Sequence, residues 1–156
     1  MAATSSGQGT SLLVGHDTNG VARAIKVDTD GTLILSVVDW AAHLASTPTI
    51  AAGAGAGASP TVAVSGNDAA GVISITTGTT ATTSATLATI TFGTAYASAP
   101  RAVHLTPANA ATAALAQAAT VYVDLASLTA TEFLLKTNGT APADSTAYKW
   151  FFSVVG

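Results

Sequence analysis

The stretch Ala85–Phe92, with the sequence ATLATITF, decides how this chain folds. From Ala88 to Phe92 every second residue is apolar, and threonines occupy the positions between them. Side chains of a β-strand point alternately to its two faces, so this spacing places Ala88, Ile90 and Phe92 on one side and the threonines on the other. The pattern predicts a strand that covers a core with one face and meets solvent with the other.

Further strand-length segments follow between residues 61 and 156, separated by turn signals such as Asn138-Gly139. Val121–Leu125 places Val121, Val123 and Leu125 on one face, and Tyr148–Val155 alternates in the same way. About seven short strands of this kind predict an all-β fold, with an antiparallel β-sandwich or jelly-roll-like domain over residues 61–156. The alanine-rich segment Ala108–Ala119 fits a short helix or a loop equally well. The predicted core contains Ile90, Phe92, Val121, Val123, Trp150 and Phe152.

Residues 1–47 predict an N-terminal arm followed by a β-hairpin. The first ten residues are small and polar, and Val21–Val27 and Leu33–Val38 flank a tight turn. An isolated hairpin is marginal in water, so its apolar residues need a cover from the C-terminal module, a neighbouring copy or the capsid. The small residues that separate the hairpin from the module favour a neighbouring copy or the capsid. Residues 48–60 are rich in alanine and glycine and predict a linker. The predicted capsid or oligomer contacts are Ile25, Val27, Leu33, Leu35, Val37 and Trp40.

Charge is scarce throughout the chain. It has 8 acidic and 5 basic residues, a net charge of -3, and only 8% charged residues, against roughly 25% in ordinary soluble domains. No basic cluster is present, so we expect no nucleic-acid partner. No apolar run is long enough for a membrane span, and the opening residues do not resemble a secretion signal. The absence of cysteine rules out disulfides and thiolate metal sites.

Motifs for chemistry are weak. Asp28, Asp30 and Asp39 have spacings that suggest a calcium loop, but the sixth position, where an EF-hand needs glycine, is Leu33. The glycine is fourth, Gly31, where a hairpin turn needs it. The histidines are scattered, and no nucleophile elbow or phosphate loop is visible. We therefore predict a chain that is not an enzyme and that holds no metal or cofactor.

Several segments resemble a β-rich module of tailed-phage structural proteins. They are Gly66–Ile73 with Thr77-Gly78, Thr91-Phe92 with Tyr96 and Pro100, Leu105–Asn109, and Tyr148–Trp150, which together cover about residues 60 to 156. The segment Val14–Gly31 is similar to the start of phage virion proteins. The resemblance implies a structural virion component, which is usually a homotrimer.

The leading functional hypothesis is a capsid decoration, or cement, protein on the capsid surface, with the major capsid protein and further copies of itself as partners. The small size favours it over a long fibre, because no shaft repeats are present. The alternative is a short head or tail fibre whose C-terminal module binds a host receptor. A secreted carbohydrate-binding module is disfavoured because the chain has only two tryptophans and three tyrosines. In the leading hypothesis, residues 1–47 anchor the protein and the C-terminal module projects outward.

Overall fold

The computed structural model describes residues 14–16, 22–24, 26–27, 33–34 and 38–156. The chain divides into two units, Met1–Val38 and Asp39–Gly156.

The described residues of the N-terminal unit form two short antiparallel pairs. Strand β1 (Val14–His16) pairs with β2 (Ala22–Ala24), and β3 (Lys26–Val27) pairs with β4 (Leu33–Ile34). The predicted hairpin is therefore present as the β3–β4 pair. The predicted arm at residues 1–10 and the tight turn at residues 28–31 lie outside the described residues.

The C-terminal unit consists mainly of antiparallel strands, with two short helices. Helix α1 (Val38–Ala45) begins at the boundary between the units, and helix α2 (Ala110–Ala118) precedes β10. The strands are β5 (Thr49–Ala52), β6 (Thr61–Gly66), β7 (Ala70–Thr76), β8 (Thr86–Thr91), β9 (Ala102–Pro107), β10 (Ala119–Val123), β11 (Glu132–Gly139) and β12 (Ala147–Val155).

These strands form two four-stranded antiparallel sheets. Sheet I has the order β10-β11-β8-β5, and sheet II has the order β6-β7-β12-β9. One hydrophobic cluster takes buried side chains from both sheets, for example Leu87 and Phe133 from sheet I and Ile73 and Trp150 from sheet II. The two sheets thus share a core, as the layers of a sandwich do. The prediction of an all-β fold is confirmed, whereas the sandwich and jelly-roll assignments stay predictions.

The alternation in the sequence accounts for the burial along the central strands. In β12 every second residue is buried, from Tyr148 to Val154, and the residues between them are exposed. Strand β8 departs from this rule, since Leu87 and Ala88 are consecutive and both fully buried. Its pairing with β11 shifts register between Leu135 and Lys136. A register shift of this kind lets two neighbouring side chains face the core.

The predicted linker at residues 48–60 is wrong, because most of this segment packs against the β-module. Residues Thr49–Ala52 form strand β5 of sheet I, and Ala56 is fully buried. A Cβ atom on Gly53 would lie 2.2 Å from the carbonyl oxygen of Thr86. The glycines and alanines are therefore small because the backbone runs directly against β8, and not because the segment is a flexible spacer.

The alanine-rich segment after β9 forms helix α2. Asn109 caps its start, since its Oδ1 accepts the Thr112 N–H at 2.9 Å. Thr112 is buried, and its Oγ1 accepts the backbone N–H of Lys149 at 2.7 Å. The cap and this contact to β12 favour the helix over the loop that the sequence left open.

Candidate interaction surface

The structure describes three of the six predicted contact residues. Val27 of β3 and Leu33 of β4 are brought together, because they are direct partners in the antiparallel pair. Trp40 lies in helix α1, away from the hairpin in sequence. The other three residues of the set, Ile25, Leu35 and Val37, lie outside the described residues.

The predicted core residues all lie in or beside the hydrophobic cluster. Ile90, Phe92, Trp150 and Phe152 are buried. Val121 and Val123 are partly buried and pack against the same cluster from edge strand β10.

Two features of the core differ from the sequence reading. Leu125, expected to point inward, is 71% exposed, because it lies in a short 3₁₀ turn after β10 has ended. Phe133 and Leu135 of β11 are fully buried but were not predicted as core. The alternation in Glu132–Lys136 was the signal that could have identified them.

The outward side of sheet II carries an unusual apolar residue. Phe151 lies on β12, an interior strand of the sheet, yet it is 55% exposed. Val72 of β7 and Thr106 of β9 are its direct cross-strand neighbours. We call this side the outer face, and its members are Thr61, Ala63, Ser65, Ala70, Val72, Ser74, Thr76, Ala102, His104, Thr106, Ala147, Lys149, Phe151, Ser153 and Val155.

Small hydroxyl residues surround Phe151 on the outer face, and charge is nearly absent there. Lys149 is its one permanently charged member, and His104 is exposed on the neighbouring strand β9. A shallow depression of about 100 Å³ indents the face, lined by Thr61, Val62, Ala63, Ser74 and Thr76. A weakly charged surface with one large exposed apolar side chain suits contact with another protein surface.

A buried polar cluster fixes helix α1 to the loops of the C-terminal unit. The carboxylate of Asp68 accepts the backbone N–H groups of Gly93 and Thr94, each at 2.8 Å. His43 Nδ1 lies 3.6 Å from Asp68 Oδ2, and both side chains are sealed from solvent. The Tyr96 hydroxyl donates to the carbonyl oxygen of Asp68 at 3.1 Å.

This cluster does not form a candidate active site in the observed conformation. A histidine beside a carboxylate is a common pair in acid–base catalysis, but a catalytic base must reach its substrate. His43 and Asp68 are 1% and 0% exposed. The role of the pair is therefore structural, because it joins helix α1 to the loop that contains Gly93 and Thr94.

A half-buried ion pair lies on the other sheet. Lys136 Nζ and Asp124 Oδ2 are 2.5 Å apart, and the Ser127 hydroxyl donates to the same carboxylate at 2.7 Å. The hydrogen bonds from Lys136 and Ser127 hold the pKa of Asp124 below its ordinary value. The same bond from Lys136 to Asp124 raises the pKa of Lys136. The pair connects β11, which contains Lys136, to the turn after β10, which begins at Asp124.

Three loops at one end of the β-module are braced against each other. They contain residues 53–60, 77–85 and 140–146. Gly78 N–H donates to Ala56 at 2.8 Å, and Ser145 N–H donates to Gly78 at 3.1 Å. Asp144 accepts the Ala81 N–H at 2.9 Å, and the N–H groups of Ala81 and Thr80 hold the pKa of Asp144 below its ordinary value.

The same loops contain strained backbone. Four non-glycine residues of the described chain have left-handed φ angles, and all four lie in or beside these loops: Ser59, Thr80, Ser84 and Ser145. Thr80 is the most costly of them, because a β-branched residue rarely adopts a φ of 60°. Strain of this kind persists only where the surrounding contacts hold it in place.

The described residues show no candidate metal site. They contain no group of three or more metal-ligating side chains placed to hold an ion. Asp39 of the calcium reading lies in helix α1, while Asp28 and Asp30 are outside the described residues. None of the helices in these ranges has the length and hydropathy of a membrane span.

Comparison with known proteins gives no match: no family model, no curated protein and no solved structure corresponds to this chain.

Proposed function

We propose that this chain is a structural protein of a tailed-phage particle, a capsid decoration protein that binds the head surface and stabilises it. The observation that carries the proposal is the outer face of sheet II, where Phe151 is exposed on an interior strand among small hydroxyl residues. Such a face suits a lasting contact with another protein. The resemblance to phage virion proteins, described above, supplies the class of particle.

The division of the chain into two units is consistent with separate roles for them, one in attachment and one on the capsid surface. In this proposal the N-terminal unit is the anchor, and the β-module stands on the capsid surface. Val27 and Leu33 are partners in a two-stranded sheet. Two strands alone cannot enclose their apolar side chains. Burying an apolar side chain of this size contributes roughly 1.5–3 kcal/mol. Several such contacts, repeated in a homotrimer, would hold the protein on the major capsid protein.

Scarcity of charge leads to a specific expectation for binding. Only 8% of the residues are charged, and added salt weakens mainly those contacts that depend on exposed charges. Attachment through apolar contacts should therefore persist as the ionic strength is raised. A salt-sensitive attachment would contradict the proposed anchor.

The experiment uses the full chain and undecorated phage heads. Asp replaces Val27 and Leu33 together in one variant, and Thr91 on the exposed side of β8 in the control. We expect the double variant to lose binding to heads and the control to keep it. If the double variant still decorates heads with undiminished affinity, the anchor lies elsewhere. Immunogold labelling of intact virions then tests the location, and label confined to the tail would overturn the decoration proposal.

The alternative proposal, a short head or tail fibre that binds a host receptor, rests on the braced loops. Threonines and serines of residues 79–84 are exposed on a frame that strain and hydrogen bonds hold in shape. Loops presented by a rigid β-scaffold are frequent binding sites. The test is competition: purified full-length protein should block phage adsorption to host cells if the loops bind a receptor, and a decoration protein should leave adsorption unchanged.

A further inference from the structure

Strand β6 is an edge of sheet II whose outer backbone groups pair with no other described strand, although β5 of sheet I packs close to it. It pairs with β7 alone, and its sequence Thr61–Gly66 contains no charge, no proline and no bulge. The other edges are shielded: helix α2 packs on β9 and β10, β9 ends in Pro107, and β5 is only four residues long. Proteins normally protect a sheet edge by such means, since an open edge pairs with another strand.

The hydrogen-bond phase of the β6–β7 ladder shows which groups of β6 face the open edge. Asn67 N–H donates to Ala70 at 2.9 Å, and the register continues without interruption to Thr61 opposite Thr76. Bonded and non-bonded pairs alternate along an antiparallel ladder. The odd-numbered residues of β6 therefore bond to β7, and Val62 and Val64 direct their N–H and C=O groups to the edge.

The hydrogen bonds between β7 and β12 lead independently to the same assignment of bonded and non-bonded residues. Val154 N–H donates to Ala69 at 2.8 Å, and Thr77 N–H donates to Thr146 at 3.1 Å. These bonds assign the odd-numbered residues of β7 to β12. Its even-numbered residues, such as Ser74, are left for β6, and Ser74 is the partner of Ala63.

The sequence of β6 is nearly symmetric about Ala63. Valines precede and follow it, and hydroxyl residues, Thr61 and Ser65, stand at the next positions. An antiparallel copy centred on Ala63 would place Val62 opposite Val64 and Thr61 opposite Ser65. It would also place the outward backbone groups of both valines opposite each other, as main-chain pairing requires.

We infer that β6 pairs antiparallel with β6 of a second copy, centred on Ala63, and extends sheet II across a two-fold axis. The half-buried valines then cover each other, and matched β-branched and hydroxyl pairs stabilise the contact. No charge on β6 opposes the approach of the second copy. A two-fold contact has the same patch on both sides, so it produces dimers, or joins two of the proposed trimers.

The inference does not depend on the proposed function, and the purified full-length chain tests it. Ala63 is exposed, so A63K and A63E should both fold. In the proposed pair residue 63 faces itself in a non-bonded position, where side chains are closest. Each variant alone places like charges together, and an equimolar mixture places Lys opposite Glu. Thr91→Lys, on the outward side of sheet I, is the matched control for an added charge.

Sedimentation equilibrium gives the mass. We expect the wild type and T91K to form an even-numbered oligomer of the 15.2 kDa chain. A63K and A63E should each have half that mass, and their mixture should regain it. A wild-type monomer, an oligomer that A63K leaves intact, or a mixture that stays dissociated would each overturn the inference.

Amide hydrogen exchange provides a second, position-specific measurement. The Val62 and Val64 amides should be protected in the wild-type oligomer and exchange quickly in A63K. The Ser65 amide, which faces β7 in the same register, should stay protected in both proteins. Protection of Val62 and Val64 that persists in the A63K monomer would mean that another segment of the same chain covers β6, and would overturn the pairing.

Discussion

His43 lies flat against Tyr96, with ring centroids 3.5 Å apart and an angle of 11° between the planes. The two residues are far apart in sequence, one in helix α1 and one in the loop after β8. Asp68 completes the contact, because its side chain is beside His43 and its carbonyl oxygen accepts the Tyr96 hydroxyl. The end of helix α1 is thus held to the β-module by buried polar groups as well as by packing.

Asp68→Asn should destabilise the β-module strongly. The carboxylate accepts two backbone N–H groups at 2.8 Å in a fully buried site, and an amide supplies only one acceptor there. Leaving one of these buried N–H groups without an acceptor costs about 1–3 kcal/mol. Urea unfolding followed by tryptophan fluorescence measures the change. Asp144→Asn is the control, since Asp144 is exposed and accepts a loop N–H, and its loss should be clearly smaller. Equal losses would contradict the importance of the buried cluster.

Two adjacent residues of β12 should respond very differently to truncation. Trp150 is fully buried between the sheets, and Trp150→Ala should lower the free energy of unfolding by about 3–5 kcal/mol. Phe151 points to the opposite, outer face, so Phe151→Ala should cost about 1 kcal/mol or less. Thermal and denaturant unfolding of both variants compare the two faces directly. A Trp150→Ala variant with unchanged stability would show that the strand faces are reversed.

Gly53→Ala tests the corrected role of the alanine- and glycine-rich segment. In a flexible linker this substitution would be neutral, or would stabilise by roughly 0.4–1 kcal/mol. In the observed fold the new methyl group meets the Thr86 carbonyl oxygen at 2.2 Å, so we expect a clear loss of stability. Gly156→Ala is the matched control, because its nearest atom is a Tyr96 ring carbon at an ordinary 3.4 Å.

The Asp124–Lys136 pair predicts a small change of stability with pH. The folded pKa of Asp124 is below its ordinary value of 3.8, because Lys136 and Ser127 donate hydrogen bonds to it. Such a group stabilises the fold above its unfolded pKa, and this contribution is lost as the pH falls through the folded pKa. Asp124→Asn should therefore lower stability near neutral pH, and the difference from wild type should shrink below about pH 4.

Denaturant unfolding at a series of pH values, at low and high salt, checks this. Solvent reaches this half-buried pair and partly screens it, so high salt should reduce the difference at neutral pH. A difference between wild type and Asp124→Asn that is constant from acid to neutral pH would exclude the ion pair as its source.

Local alternation in the sequence was sufficient for the class of fold and for much of the core. Ala88, Ile90 and Phe92, and likewise Trp150 and Phe152, are buried as their period of two predicts, because side-chain direction in a strand depends only on neighbouring residues. The same alternation marks Phe151 as facing the other way. The alternation does not show which backbone groups of β6 face the open edge. That assignment required the observed register between β6 and β7.

Tertiary structure alone decided the rest. Residues 49–56 have the composition of a linker, and they become strand β5 and a buried turn only because β8 supplies a partner and a close backbone. His43 is unremarkable in sequence, and its burial depends on Asp68 and Tyr96, which are distant along the chain. The sequence by itself thus determined which residues turn inward along most of the strands, because that property is local, whereas the burial of both Leu87 and Ala88 depends on the register shift with β11. Which strands meet, and which small or polar residues they enclose, depends on contacts between distant segments that no local period encodes.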